Sequence, residues 1–111
     1  MTDDQFQLPA VSAAEALADP GVRWIDARKA PARVTSGQTL AGSRWVDPLA
    51  VGPAEARALG PGPLTVFCAH GQEVSHFLCA VVLVHGGRAR YVIGGFEALA
   101  AAGAPLEAIS T

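Results

Sequence analysis

The chain contains 111 residues, of which 50% are hydrophobic and 16% are charged, and its formal net charge is −2. This composition excludes a disordered chain, and the length suits one domain with a modest core. A charge so close to zero gives no global reason to bind nucleic acid or an acidic membrane surface, so we expect neither as a partner. We predict a single domain over residues 1–111, with residues 1–5 flexible.

The cellular location is predicted from the absence of targeting patterns. Residues 1–8 are acidic and polar and lack the basic and apolar regions of a secretory signal. The longest apolar run, residues 77–84, is too short to cross a membrane. We therefore expect a cytoplasmic protein in which Cys68 and Cys79 are free thiols. Abundant alanine and glycine, with Lys29 as the only lysine, are typical of a bacterium with a GC-rich genome.

Helix and strand signals alternate along the chain. Ser12 is placed to cap a first helix, with Glu15 completing a capping box three residues later. In chain order we predict a helix at 12–18, a strand at 22–26, a loop with at most one helical turn at 27–42, a strand at 43–46, a helix at 53–59, a strand at 64–67, a helix at 75–85, a strand at 89–93 and a helix at 96–102. This alternation predicts an α/β fold, with a mostly parallel sheet covered by helices on both faces.

One segment carries the pattern of a reactive site. Residues 64–75 read Leu-Thr-Val-Phe-Cys-Ala-His-Gly-Gln-Glu-Val-Ser, a buried strand that ends at Cys68, then a loop with Gly71, then a helix. Ligands of open α/β sheets bind at the carboxyl ends of strands, and loop N–H groups and a helix N-terminus favour negative charge there. A thiol in this place is expected to ionise readily and act as a nucleophile. The alternative is that Cys68 is a small apolar residue that only fills space.

Four short motifs in order resemble those of rhodanese-like domains. They are Ile-Asp-Ala-Arg at 25–28, Leu-Ala-Gly-Ser at 40–43, Cys-x-x-Gly at 68–71 and Val-Ile-Gly-Gly-Phe-Glu-Ala-Leu at 92–99. Thr39 stands where that family usually has His before the second motif, and Leu99 stands where the fourth usually has Trp. Together the motifs span Asp26 to Leu99, so the resemblance implies a rhodanese-like parallel sheet.

The resemblance also implies a sulfurtransferase. Cys68 would take sulfane sulfur from a small donor such as thiosulfate or a persulfide, hold it as a persulfide, and pass it to a thiol or protein acceptor. Loop N–H groups would stabilise the negative sulfur, and neither a metal nor an organic cofactor is required. The oligomeric state is not indicated. The expected substrate-binding residues are Ala69, His70, Gly71, Gln72, Glu73, Val74, Ser75 and Arg28, with Asp26 as a structural neighbour.

The loop departs from the family pattern in its charge and length. The usual loop reads Cys-x-x-Gly-x-Arg followed by a small residue, whereas Glu73 occupies the Arg position here and Val74 precedes Ser75. The loop is thus one residue longer and resembles those of related phosphatases and arsenate reductases, which place Arg where this chain has Val74. Facing the loop interior, Glu73 would oppose a dianion by about 3 kcal/mol at ~5 Å and an effective dielectric of ~20. Alternatively, Glu73 is a first-turn acid that points to solvent.

Several roles stay open at this stage. Arg28 could supply positive charge to the loop or could pair with Asp26. His70 could donate to substrate or carry a proton near neutral pH, or could simply be solvated. Cys79 is expected in the core, with a resolving thiol as the alternative. Besides the sulfurtransferase, two functions remain: a binding or sensor module without turnover, favoured by the missing loop Arg, and a phosphatase or arsenate reductase, favoured only by loop length.

Overall fold

A five-stranded parallel sheet forms the centre of the protein. The computed structural model describes residues 8–109. The segment predicted to be flexible, residues 1–5, lies outside the described residues, as does nearly all of the stretch 1–8 that was expected to lack a secretory signal. In chain order the elements are β1 (Ala10–Val11), α1 (Ala13–Leu17), β2 (Trp24–Asp26), α2 (Ala30–Ser36), β3 (Gln38–Leu40), β4 (Arg44–Trp45), α3 (Pro53–Ala58), β5 (Leu64–Phe67), α4 (Glu73–Val84), β6 (Ala89–Val92), α5 (Gly95–Ala101) and β7 (Leu106–Ala108). The strand order is β1-β6-β5-β2-β4, and every neighbouring pair is parallel.

The central strand β5 positions the predicted reactive segment. All four of its residues are buried, as expected for a parallel strand covered on both faces. In the register with β2, Asp26 lies opposite Phe67. The carboxyl ends of the two strands therefore meet at one edge of the sheet, which confirms the predicted placement of Cys68 beside the Asp26 strand.

Helices cover both faces of the sheet, as predicted. On one face α3 and α4 enclose a cluster that includes Ile25, Leu64, Val66, Leu78 and Val82. On the other face α1 and α5 enclose a second cluster that includes Val11, Leu40, Phe67, Val92 and Leu99. Neighbours in β5 alternate between the clusters because successive side chains of a strand point to opposite faces. The observed architecture is therefore an α/β sheet with two apolar cores.

The prediction that residues 27–42 form a loop was wrong. This stretch contains α2, which begins with Pro31 in its first turn and ends at Gly37 in the left-handed conformation, at φ 71°. It also contains β3, which pairs antiparallel with β7 and sets Leu40 opposite Leu106. Because α2 buries none of its residues, it lacks the apolar periodicity from which a helix is predicted.

The other elements differ from prediction mainly at their ends. The capping box of α1 is present, since Ser12 Oγ accepts from the Glu15 N–H at 3.1 Å and Glu15 Oε1 accepts from the Ser12 N–H at 3.2 Å. Helix α4 begins at Glu73, two residues before the predicted start. Strands β1 and β7 were not predicted, because they are short and are stabilised by distant partners. Across residues 8–109 no helix is both long and apolar enough to span a membrane.

Candidate active site

Cys68 lies at the floor of a cavity at the carboxyl edge of the sheet. It follows β5 directly, and only 5% of the residue is exposed. The cavity has a volume of about 220 Å³. Its lining residues come from the loop after β5 with the first turn of α4, and from the segment after β2 with the first turn of α2: Arg28, Lys29, Ala32, Cys68, Ala69, His70, Gln72, Glu73 and Val74. The two strand ends thus bring most of the predicted site residues around one thiol.

Two glycines hold the loop against the start of α5. Gly71 has φ 71°, and a Cβ there would lie 2.5 Å from the Gly94 nitrogen and 2.6 Å from the Val92 oxygen. Gly95 has φ 61°, and a Cβ there would lie against the Cys68 carbonyl oxygen and 2.5 Å from the Gly71 nitrogen. Only glycine allows two backbones to approach so closely in this conformation. The Gly-Gly motif therefore shapes the loop by direct backbone contact.

The loop leaves its N–H groups free while its carbonyls are engaged. The N–H of Phe96 donates to the Cys68 carbonyl at 2.7 Å, and the N–H of Glu97 donates to the Ala69 carbonyl at 3.3 Å. Within residues 8–109, none of the seven N–H groups from Ala69 to Ser75 donates to another protein group. Consecutive free N–H groups that lead into a helix form a site for a negatively charged atom.

Ser75 contacts the sulfur of Cys68 from within this loop. The thiol donates to Ser75 Oγ at 3.3 Å, and the Ser75 hydroxyl donates to the Gln72 carbonyl at 3.1 Å. Ser75 is fully buried in the first turn of α4. Once the thiol loses its proton, the hydroxyl can rotate and donate to the sulfur instead. Ser75 therefore provides a side-chain donor in addition to the loop N–H groups.

Arg28 lines the cavity, but its guanidinium is held by other protein groups. Nε donates to Asp26 Oδ1 at 3.0 Å, and Nη2 donates to Asp26 Oδ2 at 2.8 Å and to the Gln38 carbonyl at 2.7 Å. The guanidinium also lies over the Phe96 ring, 4.2 Å from its centroid. Of the two roles considered for Arg28, this geometry matches pairing with Asp26.

Asp26 is the centre of a buried polar network. Besides Arg28, it accepts from Thr39 Oγ1 at 2.9 Å and from Arg33 Nε at 3.1 Å. Burial alone would raise the pKa of Asp26, but hydrogen bonds from Arg28 and Thr39 and the charge of Arg28 outweigh burial and lower it. The carboxylate therefore stays charged and positions Arg28 beneath the rim of the cavity.

The rim carries exposed charged side chains. Glu73 lies in the first turn of α4, exposed to solvent, and also lines the cavity. His70 Nδ1 lies 3.4 Å from Glu97 Oε2, with both side chains mostly exposed. Lys29 lines the cavity from the N-terminus of α2, and the sequence pattern did not mark it as a site residue. The available signal was its position immediately after the Asp-x-Arg motif, as the chain's only lysine.

Cys79 lies away from the rim. It belongs to α4 and is fully buried on the side of the helix that faces the core, and burial, with a smaller contribution from Cys68, raises its pKa to about 12. In residues 8–109, the His, Cys, Asp and Glu side chains form no group of three that could hold a metal ion.

The protein resembles known proteins in its structure but not detectably in its sequence. No protein-family model and no curated protein matches the sequence significantly. A rhodanese-related protein from Thermoplasma volcanium matches with a TM-score of 0.77 and 19% identity, over 89% of this chain and 97% of that one. A thiosulfate sulfurtransferase from Pseudomonas aeruginosa matches at 0.68 and 23%, over 92% of this chain and 20% of that one. A protein from Rhodopseudomonas palustris described as a possible tyrosine phosphatase matches at 0.67 and 20%, over 95% and 89%. The chain therefore has the rhodanese-like fold, as the four ordered motifs predict.

Proposed function

We propose that the protein is a sulfurtransferase that carries sulfane sulfur as a persulfide on Cys68. The observation that carries this proposal is a thiol that lines a cavity and is followed in the chain by seven N–H groups that donate to no protein acceptor within residues 8–109. A persulfide anion is a compact negative group that such donors stabilise. The buried Ser75 hydroxyl, 3.3 Å from the sulfur, adds one more donor.

In the first half-reaction, the Cys68 thiolate attacks the outer sulfur of the donor. A bond forms between Cys68 Sγ and that sulfur while the donor's S–S bond breaks, so thiosulfate would release sulfite and an organic persulfide would release its thiolate. The free N–H groups from Ala69 to Ser75 would hold the negative charge of the new terminal sulfur.

In the second half-reaction, an acceptor thiolate attacks the outer sulfur of the Cys68 persulfide. The new S–S bond forms on the acceptor and the Cys68–sulfur bond breaks, which returns Cys68 as a thiolate. The two steps balance in electrons because one S–S bond replaces another. The protein's part is to hold the sulfur on Cys68 between the two steps.

A phosphatase or other oxyanion enzyme is the second candidate. It is favoured by the longer loop, by the Ser75 hydroxyl beside Cys68, and by the neighbour described as a possible tyrosine phosphatase. Against it, the loop contains no Arg, Arg28 is held by Asp26, and Glu73 lies on the rim. The same missing Arg favours a binding module without turnover.

Mass spectrometry of the intact protein tests the proposal. After incubation with polysulfide or thiosulfate, we expect one added sulfur atom that dithiothreitol removes, with the same result for Cys79→Ala and none for Cys68→Ser. A parallel assay with p-nitrophenyl phosphate should give no turnover. Absence of the added sulfur on wild-type protein, or its presence on Cys68→Ser, would contradict the sulfurtransferase. Hydrolysis of the phosphate ester that depends on Cys68 would favour the second candidate.

A further inference from the structure

Two opposite charges share the rim above Cys68. Lys29 and Glu73 both line the Cys68 cavity, and both also line an adjoining apolar cavity with Pro48, Leu49 and Phe77. Both side chains are exposed, and neither has an ion-pair partner within the described part of the chain. A cation and an anion without protein partners thus flank the entrance to one nucleophile.

The two other ionisable side chains among the described residues that line this cavity, besides Cys68 itself, already contact protein groups. Arg28 is 2% exposed and donates to Asp26 and to the Gln38 carbonyl. His70 lies 3.4 Å from Glu97, a carboxylate that lines a neighbouring groove but not the Cys68 cavity. Among the described residues that line this cavity, Lys29 is therefore the cation available to a carboxylate from solution, and Glu73 is the anion available to an ammonium group.

We propose that the sulfur donor is the persulfide of an amino-acid thiol, with Lys29 and Glu73 as the residues that select it. The donor's α-carboxylate lies near Lys29, its α-ammonium lies near Glu73, and its outer sulfur reaches Cys68. This inference rests on the proposed sulfurtransferase function. In the transfer, Cys68 Sγ bonds to the outer sulfur, the donor S–S bond breaks, and the amino-acid thiolate leaves and takes a proton from water.

The charge pattern distinguishes this donor from an inorganic one. Thiosulfate is a dianion, so its attraction to Lys29 is opposed by repulsion from Glu73. An amino-acid persulfide presents one positive and one negative group and can satisfy both. Exposed charge pairs contribute modestly, so each of the two contacts is expected to change a rate by about threefold to fivefold.

A matched set of three small disulfides tests whether Lys29 and Glu73 recognise the charged groups of a reagent, and it does so without requiring sulfur transfer. Cystine carries both groups on each half, cystamine lacks the carboxylates, and 3,3′-dithiodipropionate lacks the ammonium groups. Attack by the Cys68 thiolate forms a mixed disulfide and releases one thiol, and intact mass measures the rate. The variants are Lys29→Met and Glu73→Gln, with Arg57→Met and Glu107→Gln as charge-matched controls, because these exposed residues line none of the cavities beside Cys68.

The expected pattern is specific to a zwitterion. Lys29→Met should slow cystine and dithiodipropionate by about threefold to fivefold and spare cystamine. Glu73→Gln should slow cystine and cystamine by about the same factor and should not slow dithiodipropionate. Cystine should therefore lose rate in both variants, whereas a general field effect leaves a net-neutral reagent unchanged. Unchanged cystine rates in either variant, or equal losses in the control variants, would overturn the inference.

The result is separable from the proposed function. If Cys68 gains sulfur but the cystine rate is the same in wild type, Lys29→Met and Glu73→Gln, the proposed sulfurtransferase function stands and the selection by Lys29 and Glu73 is contradicted. If the three disulfides react at the expected relative rates but Cys68 gains no sulfur, the rim still recognises an amino-acid thiol, and the proposed sulfurtransferase function is contradicted.

Discussion

The main-chain N–H of Phe96 donates a 2.7 Å hydrogen bond to the carbonyl oxygen of Cys68. This bond joins the first turn of α5 to the residue that carries the proposed chemistry. It requires the preceding residue, Gly95, to lie directly against the Cys68 loop. The conformation of the loop therefore depends on a helix that begins 27 positions later in the chain.

Adding a methyl group at Gly95 should disrupt this contact. At Gly37, φ is 71° and a Cβ would meet no atom within 4 Å, so Gly37→Ala reports the cost of the backbone conformation alone. We expect Gly37→Ala to lower the free energy of unfolding by about 1 kcal/mol and Gly95→Ala by about 3 kcal/mol, because overpacking adds to the strain. Urea unfolding and the alkylation rate of Cys68 measure both effects. Equal losses in the two variants would show that the loop tolerates the extra methyl group.

The two cysteines should differ sharply in reactivity. Burial raises the pKa of Cys79 to about 12, so it stays protonated at neutral pH and has no access to solvent. Cys68 lines a cavity, and the loop that follows it carries N–H groups that donate to no protein acceptor within residues 8–109. With iodoacetamide at neutral pH, we expect labelling of Cys68 first and labelling of Cys79 only after unfolding. Equal site-resolved rates in the native protein would contradict a reactive Cys68.

Asp26 should contribute stability that is lost in acid. Its native pKa is lowered, so the contribution is present above the unfolded-state value of about 4 and disappears as pH falls through the native pKa. Asp26→Asn leaves Arg28 buried without its charged partner, which should cost about 3–5 kcal/mol at pH 7. The difference from wild type should shrink below about pH 4.

Denaturant unfolding from pH 7 down to acid measures this dependence, and Asp19→Asn serves as the control. Asp19 pairs with Arg90 near the surface, so its removal should cost at most about 1 kcal/mol. A pH-independent difference between wild type and Asp26→Asn would contradict the linkage to this carboxylate.

Glu73→Arg should improve the use of thiosulfate. Because Glu73 is exposed on the rim, solvent screens its charge. Its repulsion of thiosulfate should therefore be well below the value of about 3 kcal/mol expected for a carboxylate inside the loop. We expect a gain of about fivefold to tenfold in kcat/KM for thiosulfate, with no comparable gain for a neutral persulfide donor. Steady-state kinetics with both donors, alongside Cys68→Ser, measures the effect. An unchanged thiosulfate rate would show that Glu73 does not influence the anion.

The sequence predicted the parts of the fold that depend on local signals. The buried run from Leu64 to Phe67 and the Gly-Gly motif after β6 marked the sheet edge and its loop. The segment from Ala30 to Leu40 could not be predicted, because α2 buries no residue and β3 is stabilised by pairing with β7 near the other end of the chain.

In the site, too, the sequence predicts features that depend on neighbouring residues in the chain and misses those that depend on distant ones. Cys68 and its loop follow from a contiguous motif, whereas the engagement of Arg28 depends on Gln38 and Phe96, which come from separate elements. Lys29 was missed because its one local signal, the position directly after the Asp-x-Arg motif, does not by itself place an exposed lysine at the cavity. Only the folded chain shows that Lys29 and Glu73 line the same two cavities.

Because of the backbone contact between Gly71 and Gly95, the position of the nucleophile and the preference for a donor could be engineered independently. Main-chain contacts with Gly95 and Phe96 hold the Cys68 loop, so exchanging side chains on the rim should not move the nucleophile. Residues such as Lys29 and Glu73 can then be varied as a small library for donor preference on an unchanged scaffold. The Gly71–Gly95 contact would keep the position of Cys68 constant while the side chains at the cavity entrance are exchanged.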